Sequence, residues 1–463
     1  LAGTRYLGLG TTWKYYVMDG NVFHDITPIR ATTTNGIVFA ATDGSATITA
    51  TDSDHGVVVD DFVTLAGAVS LGGAITAAVL NQEYQVVSVP TGNTFTFTAT
   101  ATANSSDSGN GGSAADAVYQ INVGLDVYVP STGWGSDTWG AGTFGSVSTL
   151  GATNQLRLWS HANFGEDLLI NVRAAGVFYW DESSGIAARA VALSELTGAN
   201  LTPTLALQVM VSDIDRHVIC FGADPLNDAE TARTGAIDPM FIAWSDQENV
   251  TEWEPLSTNT AGSFRLSAGS AIVGAVRARQ ETLIWTDTSL YSMVFVGQPF
   301  TFSINLVNQG VGLVGPNAVI NAPSGVFWMD KKGFYSYTGQ IQQIPCSVAD
   351  YVFSDINQTQ SYQIFAFVNK AFDEIGWFYC SLGTTVPNKY VTYNYLENIW
   401  MIGELSRTCW LDQGIFSNPK ATTTDTDDLG VLYNQELGVD NDEAAMTNVF
   451  IESSDFDLGE GDD

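Results

Sequence analysis

Positive charge is what this sequence has least of. Its 463 residues include 17 Lys and Arg against 50 Asp and Glu, a formal net charge of −33. That excludes a conventional nucleic-acid-binding surface, because holding phosphates requires a clustered basic face. Docking onto an anionic membrane is disfavoured for the same reason. Cysteine is almost as scarce. Cys220, Cys346, Cys380 and Cys409, with no CxxC among them, cannot frame a disulfide scaffold in so long a chain and fit folding in a reducing compartment. No apolar run approaches the roughly 18 residues of a transmembrane helix. The opening LAGTRYLGLG has neither the basic start nor the apolar centre of a signal peptide. It also lacks an initiator Met, and the closing SSDFDLGEGDD reads like the start of a strand, so both ends are expected to be incomplete.

Helical periodicity over three or more turns is nearly absent as well. What the chain has instead is 45 Gly, with Thr, Val, Ser, Phe, Tyr and Trp in abundance. These are residues of strands and tight turns, and the expectation is an all-β protein. Residues 1–32 read as short strands, with Asp19-Gly20-Asn21 as a hairpin turn. Lys and Arg then vanish between Ala31 and Leu156, and alternating runs such as SATITATD (45–52) and TFTFTATATA (94–103) take over. Residues 33–117 therefore read as a small inserted β-sandwich or barrel. A flexible polar stretch, NSSDSGNGGS (104–113), lies near its end. Alternation resumes at VYQINVGLDVYV (118–129), and GWGSDTWGAGTFG (133–145) reads as a turn-rich loop.

From residue 155 a unit repeats: an apolar strand containing Trp, an Asp/Ser/Gly turn, then another aromatic strand. Copies are LLINVRAAGVFYWDES (168–183), FIAWSDQENVTEWEP (241–255), TLIWTDTSLYSMVFVG (282–297), GVFWMDKKGFYSYTG (325–339) and GWFYCSLG (376–383). Trp244, Trp285, Trp328 and Trp377 stand 41, 43 and 49 residues apart, while Trp180 precedes Trp244 by 64. A period of about 40–50 residues built from short strands is the signature of a propeller blade. The expectation is a β-propeller of six to eight blades with the 33–117 domain inserted near its start, residues 118–463 forming the body. The tail after Lys420 holds thirteen acidic and no basic residues. Within it, GVLYNQEL and MTNVFIES read as strands of a final blade.

Chemistry is sparse. His24, His55, His161 and His217 are scattered, with no HxH or HExxH, and read as turn or surface residues rather than metal ligands. There is no GxSxG, Walker loop or GxGxxG between strand and helix. Ser136-Asp137-Thr138-Trp139-Gly140 faintly matches the aspartate box of sialidases, in one imperfect copy. The acidic turns DSDHGVVVDD (52–61) and DTDD (425–428) cluster oxygen ligands without EF-hand spacing and read as solvated. No catalytic, cofactor-binding or metal-ligating residue is assigned, and no cofactor is expected.

Several phrases carry a resemblance. WSHANFGEDLLINVRAAGVFYWD, the WSDxxNxTxW phrase at 244–253, GWGxxTWGxGTFG and above all 282–337 resemble the propeller-type tail nozzle proteins of short-tailed bacteriophages. These are also known as tail tubular or packaged-DNA-stabilisation proteins. The likeness covers about residues 1–30 and 118–458. It implies a non-enzymatic virion protein, assembled in the host cytoplasm, with six copies forming a ring around the DNA channel. Its implied partners are further copies, adaptor or head-to-tail connector proteins, and tail fibre or needle proteins. Double-stranded DNA would pass through the lumen unbound and without membrane insertion by this chain. An acidic lumen would repel phosphates and let the duplex slide. The reading set against it is a carbohydrate-binding or glycoside-hydrolysing propeller, a receptor-binding or depolymerase module, which needs two facing acids, one with a raised pKa.

Overall fold

The computed structural model describes residues 5–112, 115–124, 156–212, 215–424, 430–438, 440–441 and 444–445. Outside a single insertion, seven antiparallel sheets of three to five strands follow one another along the described chain and form a seven-bladed β-propeller, and a two-stranded sheet of Asp440–Asn441 and Ala444–Ala445 comes after them. Blade 1 is β1 (Tyr6–Gly10), β2 (Tyr15–Asp19) and β3 (Val22–Asp25). The register pairs Asp19 with Val22 across Gly20, whose φ of 62° suits the tight turn.

The insertion comprises β4 (Ile29–Thr33), β5 (Val38–Ala41), β6 (Thr47–Thr51), β7 (Phe62–Ala66), helix α1 (Ala77–Leu80), β8 (Glu83–Thr91), β9 (Thr94–Thr98), β10 (Asp107–Asn110) and β11 (Asp116–Gln120). Its strand order is β10-β5-β6-β9-β8-β7-β11-β4. β8 pairs β7 through Glu83–Gln85 and β9 through Val86–Thr91, so one strand serves both halves of the sandwich. Phe39, Ile48, Val63, Leu65, Val86, Phe95, Phe97 and Tyr119 fill the core between the halves. β4 and β11, the strands of entry and exit, pair with each other.

Blade 2 is β12 (Trp159–Phe164), β13 (Asp167–Val172), β14 (Ala175–Trp180), β15 (Val191–Ala192) and β16 (Leu205–Ala206). Blade 3 is β17 (Gln208–Val211), β18 (Val218–Phe221), β19 (Phe241–Trp244) and β20 (Gly262–Arg265). Blade 4 is β21 (Ile272–Arg277), β22 (Thr282–Thr286), β23 (Ser289–Gly297) and β24 (Thr301–Gln309). Blade 5 is β25 (Val319–Ala322), β26 (Gly325–Asp330), β27 (Gly333–Tyr337) and β28 (Ile341–Ile344), followed by helix α2 (Ala349–Asp355). Blade 6 is β29 (Phe365–Asn369), β30 (Glu374–Tyr379), β31 (Lys389–Asn394) and β32 (Ile399–Glu404). Blade 7 is β33 (Cys409–Leu411), β34 (Lys420–Thr424) and β35 (Gly430–Asn434), the last falling in the GVLYNQEL phrase. MTNVFIES, DTDD and GWGSDTWGAGTFG lie outside the described residues.

Position within a blade explains the sequence pattern. Second strands are covered on both faces by neighbouring blades, so they are apolar without alternation: VICF in β18 and TLIWT in β22 are buried throughout. Outer strands meet solvent, as in GSFR of β20 and IWMIGE of β32. Trp285, Trp328 and Trp377 occupy equivalent second strands, and their rings fill the wedges between blades 4, 5 and 6. Trp285 and Trp328 lie 5.2 Å apart, and Phe334 lies 4.7 Å from Trp377. Trp180 and Trp244 belong instead to third strands, so the 41-residue gap after Trp244 joins non-equivalent positions. The 64-residue gap spans one full blade step, because HVICFGAD supplies the second strand of blade 3. Blade 7 reaches back to the start of the chain through Arg5, which donates to the carbonyl of Ile415 at 2.6 Å.

Candidate functional site

The first region to test for a passage or a pocket is the propeller axis, the one place where non-adjacent blades meet. Arg173, in the turn after β13 of blade 2, is buried there. It donates to the carbonyl of Leu207 (3.4 Å) at the edge of blade 3 and to that of Ile272 (3.3 Å) in blade 4. Its guanidinium sits 5.5 Å from the ring centre of Tyr362, which precedes blade 6. Gln208 adds a second clasp, its amide both donating to the carbonyl and accepting from the amide of Ala275 at 2.8 Å. Two glycines permit the closeness: a Cβ at Gly274 would lie 2.7 Å from the Pro316 carbonyl, and one at Gly315 would lie 2.4 Å from that of Ser361. A cavity of about 30 Å³ remains between Trp159, Ser160, Arg173, Gln208, Pro316 and Asn317. That holds about one water. Among the described residues the axis of the propeller is therefore plugged.

A larger recess, about 490 Å³, opens beside blade 3 and is lined by Asp246, Gln247, Glu248, Thr258, Asn259, Thr260 and Gln298. Beneath it runs a hydrogen-bonded chain. His217, fully buried, meets Asp215 through Nδ1 and the Thr260 hydroxyl through Nε2 (2.9 Å). Thr260 in turn donates to Asp246 from its hydroxyl (2.6 Å) and its amide (2.9 Å). Burial alone would raise the Asp246 carboxyl, but these bonds, the Gln247 amide and nearby His217 outweigh it and hold it below the usual carboxylate range. An acid so held stays ionised and does not donate a proton near neutrality. The expectation of turn or surface histidines fails here and at His55, buried in the insert. His217 is buried with both ring nitrogens spent on local partners, whereas His55 accepts from the Val57 amide through Nδ1 and its Nε2 has no partner among the described residues.

Acids with raised carboxyl pKa are the signature that glycoside chemistry requires. Among the described acids Asp61 and Glu374 have it. Asp61 is fully buried, which raises it, while the Val58 and Val123 amides and Asn122 pull the other way. In the same acidic turn Asp52 accepts from Tyr119 at 2.5 Å. These carboxylates tie the loop down, and no group of three His, Cys, Asp or Glu is set to hold a metal among the described residues. Glu374, at the start of β30, is raised by burial and then by Glu436, whose carboxylate accepts from Asn369 at 3.0 Å across the seam between blades 6 and 7.

The insert is fastened to the ring. Lys14, nearly buried ahead of β2, bridges Asp25 of blade 1 (3.0 Å) and Glu83 of β8. Arg189 from blade 2 joins the same cluster at Asp25 (2.6 Å). Burial opposes ionisation of Asp25, but hydrogen bonds from Thr27 and the charges of Arg189 and Lys14 lower its carboxyl below the usual range. Behind this cluster, Asp61 accepts from the Val123 amide at 2.8 Å where the chain leaves the insert.

The outer half of blade 4 lies in a long stretch without charge, which runs on into the first two strands of blade 5. From Thr288 to Met329, 42 consecutive residues carry none. β23 and β24 are nine residues long and run past β22, which pairs β23 only through Leu290–Met293. β24 is the outer edge: Phe302 and Ile304 pack inward toward blade 3, while Leu306 and Val307 are 43% and 37% exposed. At the hairpin tip Phe300 is 76% exposed. A long uncharged edge without Lys or Pro, with Leu306 and Val307 exposed on it among polar neighbours, lacks the guards that single soluble chains place on such strands. The sequence reading missed this edge, although the uncharged run marks it.

Seven wedged sheets around a plugged axis define the class, a β-propeller carrying an inserted β-sandwich. No family matches this chain, nor does any curated protein. Among solved structures, it is similar to Citrobacter koseri AztD, with 7% identity over 93% of this chain and 91% of that one, TM-score 0.37. It is similar to the phage phi92 endosialidase, with 11% identity over 98% and 69%, TM-score 0.22. It is also similar to Kluyvelomyces marxianus Hsv2, with 7% identity over 64% and 78%, TM-score 0.34. Likenesses this distant carry no information about function.

Proposed function

We propose that this chain is a structural protein of a short phage tail, copies of which form a ring around the DNA channel and retain the packaged genome until ejection. The observation that carries the reading is the blade 4 edge. A chain of net charge −33 keeps 42 residues free of charge, and within them the outer strand β24 and its hairpin tip expose Phe300, Leu306 and Val307. Such a surface is suited to burial against another protein. The plugged axis agrees with a channel lying between copies, and an acidic lumen would let the duplex slide. Purified protein should assemble into a closed ring, six-fold by expectation, in native mass spectrometry and negative-stain electron microscopy. In a reconstituted tail, neutralising lumenal acids should slow DNA release. A monomer that stays single at high concentration and cleaves or binds glycans would overturn the proposal.

One observation favours the second reading. Glu374, a carboxyl raised by burial and by the adjacent Glu436, has the environment of a general acid. Under that reading Glu374→Gln abolishes glycan hydrolysis, whereas a tail protein shows none to abolish.

A further inference from the structure

We infer that copies of this chain join edge to edge, β24 of one propeller adding to β32 of the next. This rests on the ring reading and names the two surfaces that would build it.

The first argument is charge. Two copies, each at −33, repel wherever their acidic faces meet. The uncharged edge of blade 4 is where a like-charged copy can approach without that cost. A basic partner would be drawn instead to the acid-rich surfaces. The second argument is the main chain. Among the described residues β24 pairs on one side only, so the amides and carbonyls of its other side face outward. Its regular stretch runs from Phe302 to Leu306, five residues, before a bulge at Val307 breaks the register. β32, the outer strand of blade 6, matches it in length and character. Its six residues, IWMIGE, carry one charge, and Ile399 and Met401 are 50% and 40% exposed. Strand addition between two such edges satisfies both ladders and buries both rows of apolar side chains.

The third argument is geometry. Seven evenly spaced blades set blades 4 and 6 about 103° apart around the propeller. In a closed ring whose axis parallels the propeller axis, each copy presents its two contact faces about 108° apart for five copies and about 120° for six. Two blades of separation is the spacing that comes nearest, since one blade gives about 51° and three give about 154°. Pairing β24 with another β24 would be isologous and stop at a dimer.

The test uses the full chain with Cys409→Ser, which removes the exposed native thiol. Leu306→Cys is combined in turn with Ile399→Cys and Met401→Cys, and the protein is oxidised and run under denaturing conditions. The inference expects a ladder up to the full ring in at least one double variant and none in any single variant. Separately, Leu306→Glu and Met401→Glu should each reduce the ring to monomers in native mass spectrometry, with circular dichroism unchanged. A covalent dimer from Leu306→Cys alone would overturn the inference in favour of isologous pairing. Rings that survive both Glu variants and give no ladder would overturn it and leave the ring reading standing. If the parent chain forms no ring at any concentration, the ring reading itself fails and takes this interface with it.

Discussion

Trp328 and Trp377 hold equivalent places in adjacent blades and are both fully buried, yet their indole nitrogens differ. Trp377 donates to the Ala318 carbonyl at 3.0 Å, across the seam from blade 6 to blade 5. Trp328 Nε1 has no acceptor among the described residues. Replacing each by Phe removes the same volume, so the cavity cost is similar for both. At Trp377 the change also loses a hydrogen bond worth about 1 kcal/mol net. The Ala318 carbonyl is not orphaned, because it also accepts from the Met329 amide at 3.0 Å. At Trp328 the change removes a buried unpaired donor, relieving about 1–3 kcal/mol. Trp377→Phe should therefore be the less stable variant by about 2 kcal/mol or more. Urea unfolding followed by circular dichroism reads this as a midpoint lower by roughly 0.5 M, provided the transitions remain single and equal in slope. If Trp328→Phe is as destabilised as Trp377→Phe, side-chain volume alone sets the cost and the hydrogen-bond account is wrong.

Arg173→Met should lower stability by about 2–4 kcal/mol, since it removes charged hydrogen bonds that clasp blades 3 and 4 to blade 2; an unchanged thermal midpoint would show the axis is held without it. Lys14→Ala leaves Asp25 and Glu83 with Arg189 as the one cation beside them among the described residues, so limited proteolysis should cut near the insert's junctions sooner while the blades stay intact. Glu374→Gln should raise the melting temperature at pH 7. The folded-state pKa is above the unfolded one, so ionisation disfavours the fold as pH rises, and the gain should vanish near pH 4 where both states are largely protonated. Asp25 has the opposite sign: its lowered carboxyl contributes stability that is present above about pH 4 and lost as pH falls through the folded value, so the anchor of the insert should loosen in acid.

The all-β class and the blade repeat could be read from the sequence because second strands, buried on both faces, leave uninterrupted apolar runs that recur with each blade. The recurrence was partly misread at Trp244. An aromatic residue fills a wedge equally well from a third strand, and residue type does not reveal which strand bears it. The insert was visible as a long stretch without Lys or Arg, yet its sheet begins at Ile29 and ends at Gln120, because the border strands belong to its ladder. The axis was not legible at all. Arg173 and Gln208 look like ordinary turn and strand residues, and only ring closure brings them to carbonyls 34 to 99 residues away. His217 was discounted for want of neighbours in sequence, but Thr260 reaches it from 43 residues away.

The pairing of β4 with β11, which joins Thr33 to Ala117 and Ile29 to Gln120, makes the insert a detachable cassette. Its two ends leave the ring side by side, about 5 Å apart as in any ladder pair. A short turn could replace the whole domain without moving a blade, and a different domain could be grafted there just as readily. The ring and its decoration can therefore diverge at separate rates. Relatives could exchange what they display at this corner while keeping the wedges and the plugged axis.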